Sequence, residues 1–302
     1  RRTHETHLSL AQHSYAPDGR NPRTSSSREN RVSPIHPTAI IDPAAEIDKS
    51  VEIGPYVIIE GPVRIGPRTR ILAHAHISGK TTIGADNEIH MGAVIGHAPQ
   101  HLAYKGGHDS GVRIGDRNVI REYVTIHRAY HPGHDTVLGN GNFLMATSHV
   151  AHDVQIGNSI VLANGALLAG HVLVEDNANI SGNVSVHQFV RIGRLAMIGG
   201  NARVSKDVPP FMLVEGNSEV HGLNTVGLRR AGYDLPTREQ VKRAYRVLYR
   251  SGLNVPQAMQ RLEEDPELSA SVPVRQLIEF IRNSVRGISR HAPRIVRAAE
   301  NP

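Results

Sequence analysis

The 302-residue sequence contains no cysteine and no tryptophan, and aromatic residues make up only 4% of it. Disulfides, thiolate metal sites, iron–sulfur clusters and thiol catalysis are thereby excluded, and no apolar run approaches the roughly 18 residues needed to span a bilayer. A formal charge of +6 suits a nucleic acid, a membrane surface or an acidic or phosphorylated partner, and equally a solvated arginine-rich surface.

Residues 1–33 carry Arg, Ser, His and Pro without periodicity, so a disordered tail is expected. Their Arg and Ser content is weakly that of a transit peptide. No signal peptide is evident, and a cytoplasmic protein is the default expectation. From Ile35 the chain reads in hexads: IHPTAI, IDPAAE, IDKSVE, IGPYVI, IEGPVR, IGPRTR, ILAHAH, ISGKTT, IGADNE, IHMGAV and IGHAPQ. Each opens on an isoleucine and commonly carries a small or β-branched residue at its fifth position. A strict period of six is neither helical nor a two-residue alternation. It predicts a parallel β-helix, with one short strand and one corner per hexad. The frequent Gly in second position is expected to supply freedom where the chain bends.

Two excursions interrupt the run, at about 97–111 (HAPQHLAYKGGHDSG) and 130–136, and loops inserted into a solenoid tend to wall its binding face. Counting in sixes from Ile126 reaches Leu138 and Leu144 without slippage, which predicts that the hexad at 126 lies beneath the one at 144. The regular run then continues through Leu144, Val150, Ile156, Leu162, Leu168, Val174, Ile180 and Val186. With three hexads per coil, residues eighteen apart stack at the roughly 4.8 Å spacing of neighbouring strands. VAHDVQ, LAGHVL and VHQFVR, starting at 150, 168 and 186, therefore share one face. The repeats are expected to end near VSKDVPPF, at 204–211, where paired prolines stop strand pairing. The expected organisation is a tail (1–33), a β-helix (34–211) and a helical domain (212–302). In the last, Thr237 and Gln240 suggest a capping box. Val241, Ala244, Tyr245, Leu248 and Tyr249 form a helical stripe, and shorter helices are expected over 255–264 and 274–289. Arg229, Arg230, Arg238, Lys242, Arg243, Arg246 and Arg250 make this end basic.

On the stacked face His152 adjoins Asp153, and Gly170 lies one coil above. An imidazole held by a carboxylate can act as a general base, worth about 10²–10⁴ in rate. A glycine N–H can meet a developing oxyanion, and such a donor is worth about 10²–10³. Together they point to acyl transfer onto a hydroxyl or amine. His127, His149, His171, His187 and Gln188 enlarge the cluster. A metal site is the rival chemistry, with His149-x-x-His152 as two ligands.

These residues carry a close resemblance to the UDP-N-acetylglucosamine O-acyltransferases of lipid A biosynthesis. It covers roughly residues 34–290 through IREYVTIHR (120–128), HVAHDVQIG (149–157), LANGALLAGHV (162–172), VHQFVRIG (186–193), DVPPF (207–211) and GLNTVGLRRAGY (222–233). The resemblance implies a mainly β fold, a left-handed parallel β-helix of hexapeptide repeats with a C-terminal α-helical cap, assembled as a homotrimer. It implies transfer of an (R)-3-hydroxyacyl chain from acyl carrier protein to the sugar 3-hydroxyl of a UDP-sugar. The donor is the phosphopantetheine thioester, with no other cofactor, no metal, no nucleic acid and no membrane span. By the same resemblance His152 is the base, Asp153 its partner and the Gly170 amide the oxyanion donor. His127, His149, His171, His187, Gln188, Asn224 and Arg230 would bind substrate, while Met197, Gly200 and Ser218 would bound the acyl tract. The basic cap would receive the acidic carrier protein.

The chain departs from the family pattern at His101, Ala103, Val226, Ala231 and Ser218. The catalytic wall is intact while contacts to the nucleotide sugar are altered. That leaves two further readings open: an acyltransferase with another sugar-nucleotide acceptor, and a non-catalytic β-helix scaffold.

Overall fold

The computed structural model describes residues 34–107 and 109–292; the expected tail at 1–33 lies outside them. The hexads wind into a three-sided parallel β-helix, as the period predicts, with the left-handed sense that the resemblance implies. The first face begins at Ile40–Ile41 and ends at Arg203–Val204, the second runs from Glu46–Ile47 to Arg191–Ile192, and the third starts at Glu52–Ile53. Ile40 pairs with Ile58, Glu46 with Arg64 and Glu52 with Arg70, all eighteen residues apart.

Two positions in each hexad point inward, the opening aliphatic and the residue at the fifth place. Val57 with Ile59, Ala75 with Ile77 and Ile160 with Leu162 are all fully buried. Each isoleucine or leucine buried this way contributes about 1.5–3 kcal/mol relative to exposure. The sharp bend falls at the fourth place, where the backbone takes a left-handed conformation at non-glycine residues such as Tyr56, Arg68, Tyr123 and Asp153. Glycine at the second place serves a different end from the one expected. A Cβ on Gly84 would lie 2.2 Å from Asp116 Oδ1 and 2.8 Å from the Gly115 carbonyl oxygen. The next coil is too close for any side chain there.

The corner between the second and third faces is tied by buried asparagines. Asn118 donates through Nδ2 to Asn87 Oδ1 (3.0 Å) and to the Gly139 carbonyl (3.0 Å), and its own Oδ1 accepts the Asn142 N–H at 2.9 Å. Asn142 repeats the device one coil on, with the Ile160 N–H and the Gly157 carbonyl as partners.

The excursions correct one register. Ile126 pairs with Val150, 24 residues on, rather than with Leu144, whose partner below is Ile120. The second excursion adds six residues, a hexad's length, so counting in sixes passes over it unnoticed. His127 and His149 consequently share the first face, on neighbouring strands.

The third face continues beyond the proline pair. Met212–Glu215 pairs parallel with Met197–Ile198, and Glu219–Leu223 then turns back antiparallel. Five helices follow: α1 (Thr225–Arg230), α2 (Leu235–Arg250), α3 (Val255–Glu264), α4 (Pro266–Ala270) and α5 (Val272–Arg282). Helix α2 starts two residues before Thr237, because Asp234 is the cap and accepts the Thr237 N–H at 2.9 Å. Its expected stripe is buried at Val241, Ala244, Tyr245 and Leu248. Asp207, fully buried, joins prism to cap: its carboxylate accepts from the Arg191 N–H (2.9 Å) and the Ser284 hydroxyl (2.7 Å). Among the described residues no helix is long and apolar enough to cross a membrane.

Candidate active site

The winding brings 152, 170 and 188 to one corner, between the first and second faces. Val150 pairs with Leu168 and Leu168 with Val186. At the corner itself the His171 N–H donates to the His152 carbonyl and the Phe189 N–H to the Gly170 carbonyl, both at 3.1 Å. Asp153 and His171 hold the left-handed bend of their coils.

His152 and Asp153 are both buried, and His152 Nδ1 lies 2.8 Å from Asp153 Oδ2. An ionised carboxylate only accepts, so Nδ1 carries the proton and Nε2 keeps a bare lone pair. Asp153 Oδ2 also accepts the Tyr130 N–H at 2.8 Å, and the Asp153 N–H donates to Thr136 Oγ1 at 2.9 Å. Burial works against ionisation of this carboxyl. The His152 and Tyr130 hydrogen bonds outweigh it and hold Asp153 below the usual carboxylate range. Gly170 is buried, and a Cβ there would come within 2.6 Å of His152 Cε1 and 2.8 Å of Nε2. The imidazole thus rests on the space a side chain would fill. The Gly170 N–H donates to no protein acceptor among the described residues.

A second group of imidazoles lies on the first face. His127 and His149 rings are 5.3 Å apart. His127 Nδ1 donates to the Ala98 carbonyl at 2.5 Å, and His149 Nδ1 lies 2.7 Å from Thr125 Oγ1. Burial pushes His149 down to about 4, helped by His127 and His152 nearby. Burial also lowers His127, against the pull of the Ala98 carbonyl, and lowers His171, against the charge of Asp153. The Nδ1 atoms of His149 and His152 therefore turn to different partners, Thr125 and Asp153. Among the described residues the group with metal-binding geometry is His152, Asp153 and His171.

Of the remaining expected residues, two share this corner and the others lie elsewhere on the chain. His187 and Gln188 are exposed one coil above Gly170. Met197 is on the third face, opposite Asn179, and Gly200 is exposed at the corner leading back to the first face. Ser218 is buried in the hairpin turn after Glu215, where its hydroxyl accepts the Ser205 N–H at 2.7 Å. Asn224 caps α1, accepting the Gly227 N–H (2.8 Å) and donating to the Leu195 carbonyl (2.9 Å). Arg230 is exposed on α1. One chain does not bring Met197, Gly200, Ser218, Asn224 or Arg230 to the His152 corner. The basic stretch of the cap is partly answered by its own acids, Lys242 by Glu239 and Arg243 by Asp265 and Glu267.

Sequence reasoning singled out His101 only as a departure from the family pattern, without placing it beside His152, and missed Tyr130. The His101 ring lies 4.1 Å from Tyr130 and 5.4 Å, perpendicular, from His152, and Tyr130 is 5.9 Å from His152. The excursions were marked as walls, but loops have no period from which a particular side chain could be placed.

A base-and-amide corner on a prism of six-residue repeats is the equipment of a hexapeptide-repeat acyltransferase. Residues 207–289 match the family model described as UDP N-acetylglucosamine O-acyltransferase, domain 2. The chain is 46% identical over 259 residues to the acyl-(acyl-carrier-protein)–UDP-N-acetylglucosamine O-acyltransferase of Syntrophobacter fumaroxidans, which covers 85% of this chain and 99% of that one. Its fold is similar to the UDP-N-acetylglucosamine acyltransferase of Francisella novicida, with a TM-score of 0.82 at 38% identity over 89% of this chain and 100% of that chain. A Bacteroides fragilis structure of the same kind gives 0.81 at 44% identity, covering 85% and 100%. The chain belongs to the acyl-(acyl-carrier-protein)–UDP-N-acetylglucosamine O-acyltransferase family.

Proposed function

We propose that the chain transfers an (R)-3-hydroxyacyl group from the phosphopantetheine thioester of acyl carrier protein to the 3-hydroxyl of UDP-N-acetylglucosamine, the first step of lipid A biosynthesis. The observation that carries the mechanism is the His152 Nδ1–Asp153 Oδ2 hydrogen bond of 2.8 Å, one coil below the Gly170 amide. His152 Nε2 takes the proton of the sugar hydroxyl as its oxygen attacks the thioester carbonyl. The carbonyl oxygen becomes an oxyanion and accepts the Gly170 N–H. Asp153 stabilises the imidazolium and fixes the tautomer. Collapse of the intermediate breaks the C–S bond, and the leaving sulfur recovers the proton from His152. His127, His149, His171, His187, Gln188, Asn224 and Arg230 bind the two substrates, and Met197, Gly200 and Ser218 bound the acyl tract. No cofactor beyond the carrier's own phosphopantetheine arm is required. The reaction is assigned to the cytoplasm.

The groups at the far corner reach the His152 corner only if subunits alternate around a ring, which supports a homotrimer with its sites between neighbours. The mechanism is tested with His152→Ala, which should lower turnover by at least about two decades while leaving assembly intact. Near-normal turnover in that variant would remove the mechanism.

A second reading keeps the chemistry and changes the acceptor. It is favoured by His101, which stands 5.4 Å from the His152 ring where the family pattern has an acid. Product mass spectrometry with a panel of sugar nucleotides separates the two, since a clear preference for another sugar would displace UDP-N-acetylglucosamine.

A further inference from the structure

Asp153 Oδ2 faces two imidazoles. His152 Nδ1 is 2.8 Å from it and His171 Nε2 is 4.0 Å away. One ligand atom from each of the three residues lies within 4.8 Å of the others. We propose that His152, Asp153 and His171 form a divalent-cation site of zinc type, and that its occupation switches the catalytic base off.

Zinc bonds to imidazole nitrogen and carboxylate oxygen at about 2.0–2.2 Å, which places two ligands of a tetrahedral ion roughly 3.4 Å apart. The 2.8 Å pair must open and the 4.0 Å pair close by about 0.6 Å each, and the His152–His171 pair, within 4.8 Å, must close as the His171 ring advances. The His171 ring is stacked flat on Phe189, with centroids 4.6 Å apart, and can slide along that face without losing contact. Imidazole and carboxylate are a donor set suited to zinc and its neighbours in the first transition row. Water can fill the fourth position.

The consequence follows from the chemistry of neutral imidazole, which carries one N–H. A cation on Nδ1 displaces the proton from that nitrogen and leaves it on Nε2. The atom that must accept the hydroxyl proton then becomes a donor. No proton is gained or lost overall, yet the base has no lone pair to offer. The loss of turnover rests on His152 being the base; the binding does not.

Cobalt(II) is the probe, because a four-coordinate ion with nitrogen and oxygen ligands absorbs strongly in the visible. Full-length protein titrated with it should show one such site per chain, displaced by zinc. Cobalt affinity should fall at least about tenfold in His171→Ala and separately in Asp153→Asn, with the circular dichroism spectrum retained, and should hold in His134→Ala. Zinc at the occupancy so measured should abolish wild-type turnover, and a chelator should restore it. Absorption that survives both substitutions overturns the site. So does absorption lost only on replacing His4 and His7 in the tail. Cobalt bound here with turnover intact would overturn the switch and count against His152 as the base. No binding, beside an inactive His152→Ala, would sink the site and leave the mechanism standing.

Discussion

At the scale of the residue, the His152 ring is held from two sides. Asp153 aims it through Nδ1, and the bare Cα of Gly170 gives it a floor. Gly170→Ala would put a methyl group into the ring, so the imidazole has to swing from its hydrogen bond with Asp153. The change should lower kcat by roughly tenfold to a hundredfold, as a misplacement of about an ångström does, with a much smaller effect on KM. Steady-state kinetics with both substrates varied measures the split, and an unchanged kcat would show that the floor is not used. His149 carries a separate expectation. Its folded-state value of about 4 lies below the usual 6.5, so the unfolded chain takes up a proton first as the pH falls. Its burial costs nothing above about pH 6.5. Stability should then decline between that pH and 4, by roughly 2 kcal/mol once the partial exposure of the ring is allowed for. Melting temperatures across this range should fall less steeply in His149→Gln than in the native protein.

At the scale of the element, the corners are where the prism spends its polar groups. Asn118 is fully buried, and its side chain meets the coil below, the coil above and the Gly139 carbonyl. Asn118→Ala would strand the Asn142 N–H and the Gly139 carbonyl in a dry corner. It should destabilise by roughly 2–4 kcal/mol, read as a lower denaturant midpoint. Asn158→Ala, on the part-exposed ladder through Asp176, should cost less. The same elements explain what could be read in advance. Wherever hexads ran unbroken the winding was legible, and with it the stack of His152, Gly170 and Gln188. The six residues of the second excursion match the repeat length, so pattern alone left Ile126 a hexad out of place. The cap was legible where an apolar stripe faced the prism, as in α2. Helices α1 and α4, of six and five residues, are too short to show one.

At the scale of the molecule, six of the large apolar residues left exposed lie on or beside the first face, the others in the first excursion and the cap. Tyr123 is 66% exposed at one of its corners, Phe189 51% at the other and Leu167 44% on the face itself, with Tyr56 and Met91 along the first corner. A soluble chain seldom leaves so many in one place unless another surface covers them. On the proposed reading the covering surface carries the Met197 and Gly200 corner of a neighbouring subunit. Light scattering should return about three times the chain mass, and Tyr123→Asp with Leu167→Asp should reduce it to one. A native protein measured as a monomer would leave the site without its second wall.

The prism also separates two kinds of inheritance. His152, Asp153 and Gly170 are set by coils whose spacing every neighbour enforces, whereas His101 and Tyr130 hang from segments inserted between coils. On the proposed mechanism, substitutions in those segments can redraw what the enzyme selects without disturbing the atoms that react. New preferences can therefore arise here by changing a fringe, with the chemistry carried along unaltered.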